Sequence, residues 1–136
     1  MLDSKIIIAL DYSDEKEVIQ LCERLDYSKC KLKVGKQLFT KYGPALVDKL
    51  QSRGFKIFLD LKFHDIPTTV YKASVEAYKL GVWMLNVHAL GGSEMMNAAL
   101  QARNDVNKES KLIAVSILTS HTSANLADFG IEHREG

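Results

Sequence analysis

Five short apolar segments recur along the chain at intervals of roughly 25–30 residues, about the length of one βα unit. The predicted strands are Ile6–Leu10, Lys31–Val34, Ile57–Leu61, Val82–Val87 and Leu112–Leu118. The first is a continuous apolar run, which is expected of a strand buried on both faces. Regular βα repetition restricts the chain to a parallel α/β architecture, either a doubly wound sheet or a (β/α)₈ barrel.

Helix signals fill the intervals between these strands. Ser13 is predicted to cap the first helix, Gly43-Pro44 to open the second, and Pro67 to start the third. Ser93 is predicted to cap a fourth helix whose inward residues are Met96, Ala99 and Leu100. A (β/α)₈ barrel typically needs about 250 residues. Five strands in 136 residues would therefore form a little over half of one.

Composition excludes several functional classes. The formal net charge is +1, so nothing favours nucleic acid or an anionic membrane as a partner. No apolar run approaches the roughly 20 residues that span a bilayer, and the N-terminal segment lacks the layout of a secretory signal. The two cysteines, Cys22 and Cys30, are interpreted as reduced thiols. These features together predict a cytoplasmic protein.

Charged residues collect where the predicted strands end. Asp11 ends the first strand, Lys33 lies at the end of the second, and Asp60 and Lys62 end the third. Chemistry in parallel α/β folds sits at this edge of the sheet. Asp60 and Lys62 should point to the same side because side chains alternate along a strand. We therefore expect these four groups to form an array of opposite charges that keeps its lysines protonated and its aspartates ionised.

The segment around this third strand end resembles a family signature. Its sequence is Asp60-Leu61-Lys62-Phe63-His64-Asp65-Ile66-Pro67-Thr68-Thr69-Val70, and it is similar to the D-x-K-x-x-D and I-P-x-T elements of orotidine 5'-phosphate decarboxylases. Further matching strand-end motifs are Ala9-Leu10-Asp11, Leu32-Lys33-Val34-Gly35, Asn86-Val87-His88-Ala89 and Leu118-Thr119-Ser120. The resemblance implies a dimeric (β/α)₈ barrel that converts orotidine 5'-monophosphate to uridine 5'-monophosphate without a cofactor or a metal.

The resemblance also implies roles for individual residues. Lys62 would protonate C6 of the pyrimidine, and Asp60 would lie beside the departing carboxylate. Lys33 and Asp11 would hold the ribose hydroxyls. Asp65, predicted to be catalytic as well as substrate-binding, and Thr69 would reach into the neighbouring subunit's site. Ile66 and Thr119 are the remaining predicted substrate-binding residues. Ser120 is the alternative to Thr119 as the contact to the pyrimidine.

Two other interpretations stay open at this point. A metal-dependent sugar-phosphate enzyme of the same superfamily, such as a hexulose-phosphate synthase, also carries D-x-K-x-x-D, but those relatives resemble one another in having an acidic residue where this chain has Lys33. The second alternative is a non-catalytic remnant. It arises because the resemblance covers only the first half of the family's barrel, without the later loops that grip the phosphate. The chain is accordingly expected either to be a fragment or to come from a truncated gene, and to be a poor enzyme alone.

Overall fold

The computed structural model describes residues 4–131, in which strands and helices alternate throughout. The strands are β1 (Ile7–Ala9), β2 (Lys31–Gly35), β3 (Ile57–Phe63), β4 (Met84–His88) and β5 (Lys111–Val115). The helices are α1 (Glu15–Cys22), α2 (Lys36–Gln51), α3 (Pro67–Lys79), α4 (Ser93–Val106) and α5 (Ser123–Asp128), with a 3₁₀ turn at Ala89–Gly91. All five predicted strands are therefore present, with boundaries shifted by up to three residues.

The strand order decides between the two architectures that the sequence left open. The five strands form one sheet in the order β1-β2-β3-β4-β5, and every neighbouring pair is parallel. A doubly wound sheet reverses its strand order at a switch point, and this sheet has no such reversal. Strands that add in sequence order are the arrangement of a (β/α)₈ barrel, of which these are five units.

The interior strands carry most of the core, and the outer strands contribute only partly buried residues such as Ile8 and Leu112. β3 and β4 are buried over most of their length, and their apolar residues pack against the helices in a cluster that includes Leu32, Leu59 and Leu85. The prediction that the first strand is buried on both faces was wrong, because Ile7 is 40% exposed. In this sheet β1 is an edge strand and pairs with β2 alone.

The predictions for the first and fourth helices need three corrections. Asp14, rather than Ser13, is the N-cap of α1, and its carboxylate accepts a hydrogen bond from the Lys16 amide at 2.8 Å. In α4 the N-cap is Gly92, and Ser93 is the first helical residue. The buried face of α4 consists of Met95, Ala99 and Ala102. Leu100, which was predicted to point inward, is exposed.

The second helix is longer than predicted. α2 begins at Lys36, directly after β2, and is interrupted at Gly43, where φ is 59° and ψ is −153°. Pro44 then starts the second half, which is the part that the Gly43-Pro44 pair predicted. The helix in residues 36–42 was missed, although Leu38, Phe39 and Tyr42 lie at helical spacing and pack on the core. Among residues 4–131, no helix is both long and apolar enough to cross a bilayer.

Candidate active site

The candidate site is centred on the carboxylate of Asp60, close to the carboxyl end of β3. Lys62 Nζ lies 2.6 Å from Asp60 Oδ1, and Lys33 Nζ lies 3.2 Å from Asp60 Oδ2. The Asp60 side chain is 9% exposed, while those of Lys62 and Lys33 are 29% and 27% exposed. The two ammonium groups thus flank a buried carboxylate and remain partly open to solvent, where a bound molecule could reach them.

Two opposing effects set the protonation state of Asp60. Burial raises the pKa of its carboxyl group, because removing a charge from water is costly. Hydrogen bonds from Lys62, Asn86 and Lys33 favour the ionised form, and together they hold the pKa of Asp60 below its ordinary value. Asp60 is therefore a carboxylate at neutral pH, as the sequence analysis predicted for it.

The backbone at Lys62 departs from regular strand geometry. Within the described part of the chain, Lys62 is the one non-glycine residue with a positive φ, at 51°. The register between β3 and β4 shifts between Leu59 and Phe63, which is the segment that contains the site. Such backbone conformations are costly and persist where surrounding contacts enforce them, often at functional sites.

Asn86 is a member of the site to which sequence reasoning assigned no role. It lies on β4, is 1% exposed, and donates from Nδ2 to Asp60 Oδ1 at 2.7 Å. Its Oδ1 accepts the backbone N–H of Lys62 at 2.8 Å. Its position could have identified it from the sequence: Asn86 is a polar residue near the carboxyl end of the strand next to β3, where active sites of parallel sheets lie.

Asp11 and Thr119 do not join the charged cluster. The carboxylate of Asp11 is exposed and makes no hydrogen bond or ion pair with another residue in 4–131, so the expected four-charge array contains three members here. The main chain nevertheless brings Asp11 near β2, since the preceding Leu10 amide bonds to the Lys33 carbonyl at 3.0 Å. Thr119 lies in an exposed turn beyond the end of β5, so neither it nor Ser120 ends that strand.

The other predicted residues lie together at the start of α3. Asp65, Ile66 and Thr69 are all exposed, and Ile66 is 67% exposed despite being apolar. Asp65 Oδ1 accepts a hydrogen bond from the Ile66 amide at 2.7 Å, which fixes the carboxylate at the helix entrance. These side chains are available to a second molecule and are separate from the Asp60 cluster.

Two histidines border the same edge of the sheet. The rings of His64 and His88 stack, with centroids 5.3 Å apart and an interplanar angle of 28°. The pKa of His88 is lowered, first by burial and then by the nearby His64, His121, Lys36 and Lys62. Across residues 4–131 no three His, Cys, Asp or Glu side chains are grouped so as to hold a metal ion.

The sequence and the fold both match known proteins. Residues 4–134 match the family described as "Orotidine 5'-phosphate decarboxylase / HUMPS family". The chain belongs to this family. It is 54% identical over 131 residues to the orotidine 5'-phosphate decarboxylase of Nitrosococcus oceani and 53% identical over 131 residues to that of Nitrosomonas eutropha. The crystal structure of orotidine 5'-phosphate decarboxylase from Lactobacillus acidophilus superposes with a TM-score of 0.86 at 37% identity, covering 94% of this chain.

The match covers only part of each relative. The alignments include 96% of this chain but 56% of the two curated relatives, and 59% of the Lactobacillus acidophilus chain. The chain thus spans a little over half the length of these relatives. Together with the five sequential strands, this identifies the chain as the first five βα units of a (β/α)₈ barrel of this family.

Proposed function

We propose that this chain carries the catalytic charges of an orotidine 5'-phosphate decarboxylase. The reaction is the conversion of orotidine 5'-monophosphate to uridine 5'-monophosphate in pyrimidine biosynthesis, a carbon–carbon lyase reaction. The observation that carries the proposal is the partly exposed Lys62 ammonium, held 2.6 Å from a buried carboxylate inside the family's D-x-K-x-x-D signature.

The chemistry explains why an ammonium is needed. Loss of carbon dioxide leaves a localised negative charge on C6 of the pyrimidine. A fixed cation stabilises that charge as it develops, and the same group can then supply the proton. The Lys62 ammonium would play both roles, and Asp60 would keep it charged and aimed. Lys33, on the other side of Asp60, would hold a ribose hydroxyl together with Asp11.

The exposed residues at the α3 entrance suggest a shared site. Asp65 and Thr69 would reach the substrate of a neighbouring subunit. Ile66 would be a further substrate-binding residue, and Thr119 would contact the pyrimidine. Exposure of a carboxylate and a large apolar side chain at one helix end supports this proposal, because a homodimer interface would cover both. The enzyme would work in the cytoplasm and would use no cofactor.

The charge of Lys33, within β2, favours decarboxylation over magnesium-dependent chemistry. Lys33 is a cation 3.2 Å from Asp60, and a divalent metal ion there would be repelled by two ammonium groups. A hexulose-phosphate synthase-like activity would instead use an acidic residue at this position. Turnover that is unchanged by a chelator is therefore expected, and a strict magnesium requirement would reverse the assignment.

The decisive experiment removes the proposed proton donor. The whole 136-residue chain is joined to the part of the Nitrosococcus oceani relative that it does not match, and decarboxylation is followed by the absorbance of orotidine 5'-monophosphate. Lys62→Ala should lower turnover by more than the ~10²–10⁴-fold of general acid catalysis, since the charge is lost as well. Lys72→Ala, an exposed lysine on α3, is the control and should leave the rate unchanged. Lys62→Ala protein with over about a tenth of normal turnover would contradict the mechanism.

The shared site is tested by mixing two inactive variants. Asp65→Asn subunits and Lys62→Ala subunits are combined, and some activity should return because a mixed dimer contains one site with both residues intact. Each variant mixed with itself is the control. Absence of any recovery in a sample shown to contain mixed dimers would place Asp65 in its own subunit's site.

A further inference from the structure

Asn86 connects the two residues that the proposed mechanism depends on. Its amide has one donor and one acceptor side, and both are used: Nδ2 donates to Asp60 Oδ1 at 2.7 Å and Oδ1 accepts from the Lys62 amide at 2.8 Å. The orientation of the amide is fixed by its partners, because a carboxylate can only accept and a backbone N–H can only donate. At 1% exposure, Asn86 has no surface with which to contact a substrate.

The hydrogen bond to Lys62 replaces one that the sheet does not provide. The ladder between β3 and β4 loses its register between Leu59 and Phe63, so the backbone of Lys62 lies outside the regular pairing. A partly buried N–H without a partner is unfavourable, and the Asn86 carbonyl satisfies it. The same contact restrains Lys62 in its left-handed conformation, with φ at 51°.

The hydrogen bond to Asp60 acts on the other end of the ion pair. Asp60 Oδ1 accepts from both Asn86 Nδ2 and Lys62 Nζ, at 2.7 and 2.6 Å, while Oδ2 faces Lys33. Asn86 therefore restrains the carboxylate that aims the ammonium and the backbone from which the ammonium extends. Small displacements of a reacting group reduce rates strongly, so this double restraint has a kinetic consequence.

We propose that Asn86 is a positioning residue of the active site, which sets the place of the Lys62 ammonium through Asp60 and through the Lys62 backbone. The kinetic part of this inference rests on the proposed function. The structural part concerns only Asn86, Asp60 and Lys62, and it stands whether or not the chain decarboxylates a nucleotide.

The structural part is tested by NMR on the 136-residue chain. In the unaltered protein the Lys62 amide proton should exchange slowly with solvent, because its acceptor is a buried side chain. In Asn86→Leu, Lys62 exchange should accelerate, and the titration midpoint of the Asp60 carboxyl should rise because a donor to the ionised form is lost. In Asn86→Asp, which keeps the acceptor, the Asp60 midpoint should also rise while Lys62 stays protected. Exchange of the Lys62 amide at an unstructured rate in the unaltered protein would overturn the proposal without any variant.

The kinetic part is tested in the decarboxylation assay described above. Asn86→Leu should lower kcat by about tenfold or more and change KM by less than about threefold, because Asn86 acts on the reacting group and not on substrate binding. Ser110→Ala is the matched control, since Ser110 is also a buried polar residue. Its hydroxyl donates to the Val82 carbonyl at the end of the sheet where the strands begin, away from the site. Ser110→Ala should lower stability without lowering kcat.

The outcomes separate the two proposals. An unaltered protein without decarboxylase activity would contradict the proposed function, and the NMR measurements would still decide the role of Asn86. A folded Asn86→Leu protein with normal kcat, in an active background, would overturn the positioning role and leave the proposed function intact.

Discussion

Asp60 shows why one buried charge needs several partners. Its carboxylate accepts hydrogen bonds or ion pairs from Lys62, Lys33 and Asn86, and each contact offsets part of the cost of removing it from water. Removing one partner of a buried ion pair typically costs about 3–5 kcal/mol, because a charge is left uncompensated. The site is therefore coupled internally, and substitutions within it should not act additively.

His88 supplies a prediction for the pH dependence of stability. Its folded-state pKa is lowered by burial and by neighbouring positive groups, whereas an unfolded histidine titrates near its ordinary value of 6.5. Between those two values the unfolded chain binds more protons, so acid favours unfolding. The free energy of unfolding should fall as the pH is lowered from about 7.5 to about 5.5, as measured by urea denaturation.

The control for this prediction is His88→Gln, which should flatten the stability profile over that range. Asp60 cannot produce the same effect, because its pKa is lowered from 3.8 and its contribution is lost only at still lower pH. Equal pH profiles for the unaltered protein and His88→Gln would assign the acid sensitivity to another group.

At the residue scale the sequence predicted the two ion pairs of the site but not its full membership. The ion pairs of Asp60 with Lys62 and Lys33 followed from strand ends that meet at one edge of a parallel sheet. Asn86 was missed because an asparagine at a strand end carries no charge pattern, and its role depends on a break in the β3–β4 register. Asp11 was expected in the cluster, but it follows β1, the outermost strand of the sheet, and its side chain is exposed.

Among the elements, α2 combines two short helices through one special residue. Gly43 adopts φ 59° and ψ −153°, a backbone region that is essentially restricted to glycine, and Pro44 then begins the second half. The break lets the chain leave β2 directly as a helix and still bury Leu46, Val47 and Leu50 against the sheet. The conformation of one residue thus decides where half of this helix packs.

Gly43→Ala should therefore destabilise the fold by about 1–3 kcal/mol through backbone strain alone. A Cβ at Gly43 would meet no atom within 4 Å, so steric overlap contributes nothing. Gly35→Ala is the matched control: its Cβ would also meet nothing within 4 Å, and its φ of −92° suits any residue. Thermal or urea unfolding of both variants measures the difference in their stability. Equal stabilities would show that a side chain at position 43 causes no backbone strain.

The order of the elements was predictable because apolar strands and helix signals repeat at a fixed interval. Boundaries were less predictable where two signals competed. The Gly43-Pro44 pair is a strong helix-start signal and hid the helix in residues 36–42. The capping preference of serine favoured Ser13 and Ser93, yet the backbone places Asp14 and Gly92 at those caps. Local propensity predicts the turn at which a helix begins, and packing of the helix on the sheet determines which residue of that turn is the N-cap.

On the scale of the whole molecule, the sheet has two open edges. Within residues 4–131, β1 and β5 each pair with one neighbour only. Four large apolar residues in or beside these strands are exposed: Ile6, Ile7, Ile113 and Ile117. Unpaired strand edges with apolar side chains favour pairing with another chain. In a closed barrel of eight strands these edges would be covered by the remaining strands, so their exposure explains why the first strand was wrongly predicted to be buried.

We expect the 136-residue chain to self-associate through these edges beyond a dimer, in a concentration-dependent manner. Ile7→Lys combined with Ile113→Lys should reduce the larger assemblies, because a charged edge strand resists pairing. Both positions are about two-fifths exposed, so the substitutions should change monomer stability by only about 0.5 kcal/mol each. Ile66→Lys is the comparison, since Ile66 is exposed at the start of α3 and does not lie on an edge strand. This substitution should weaken the proposed dimer and leave assembly through the edge strands in place. Analytical ultracentrifugation over a range of concentrations distinguishes the two surfaces. A species no larger than a dimer at every concentration, converted to monomer by Ile66→Lys alone, would show that the strand edges do not pair.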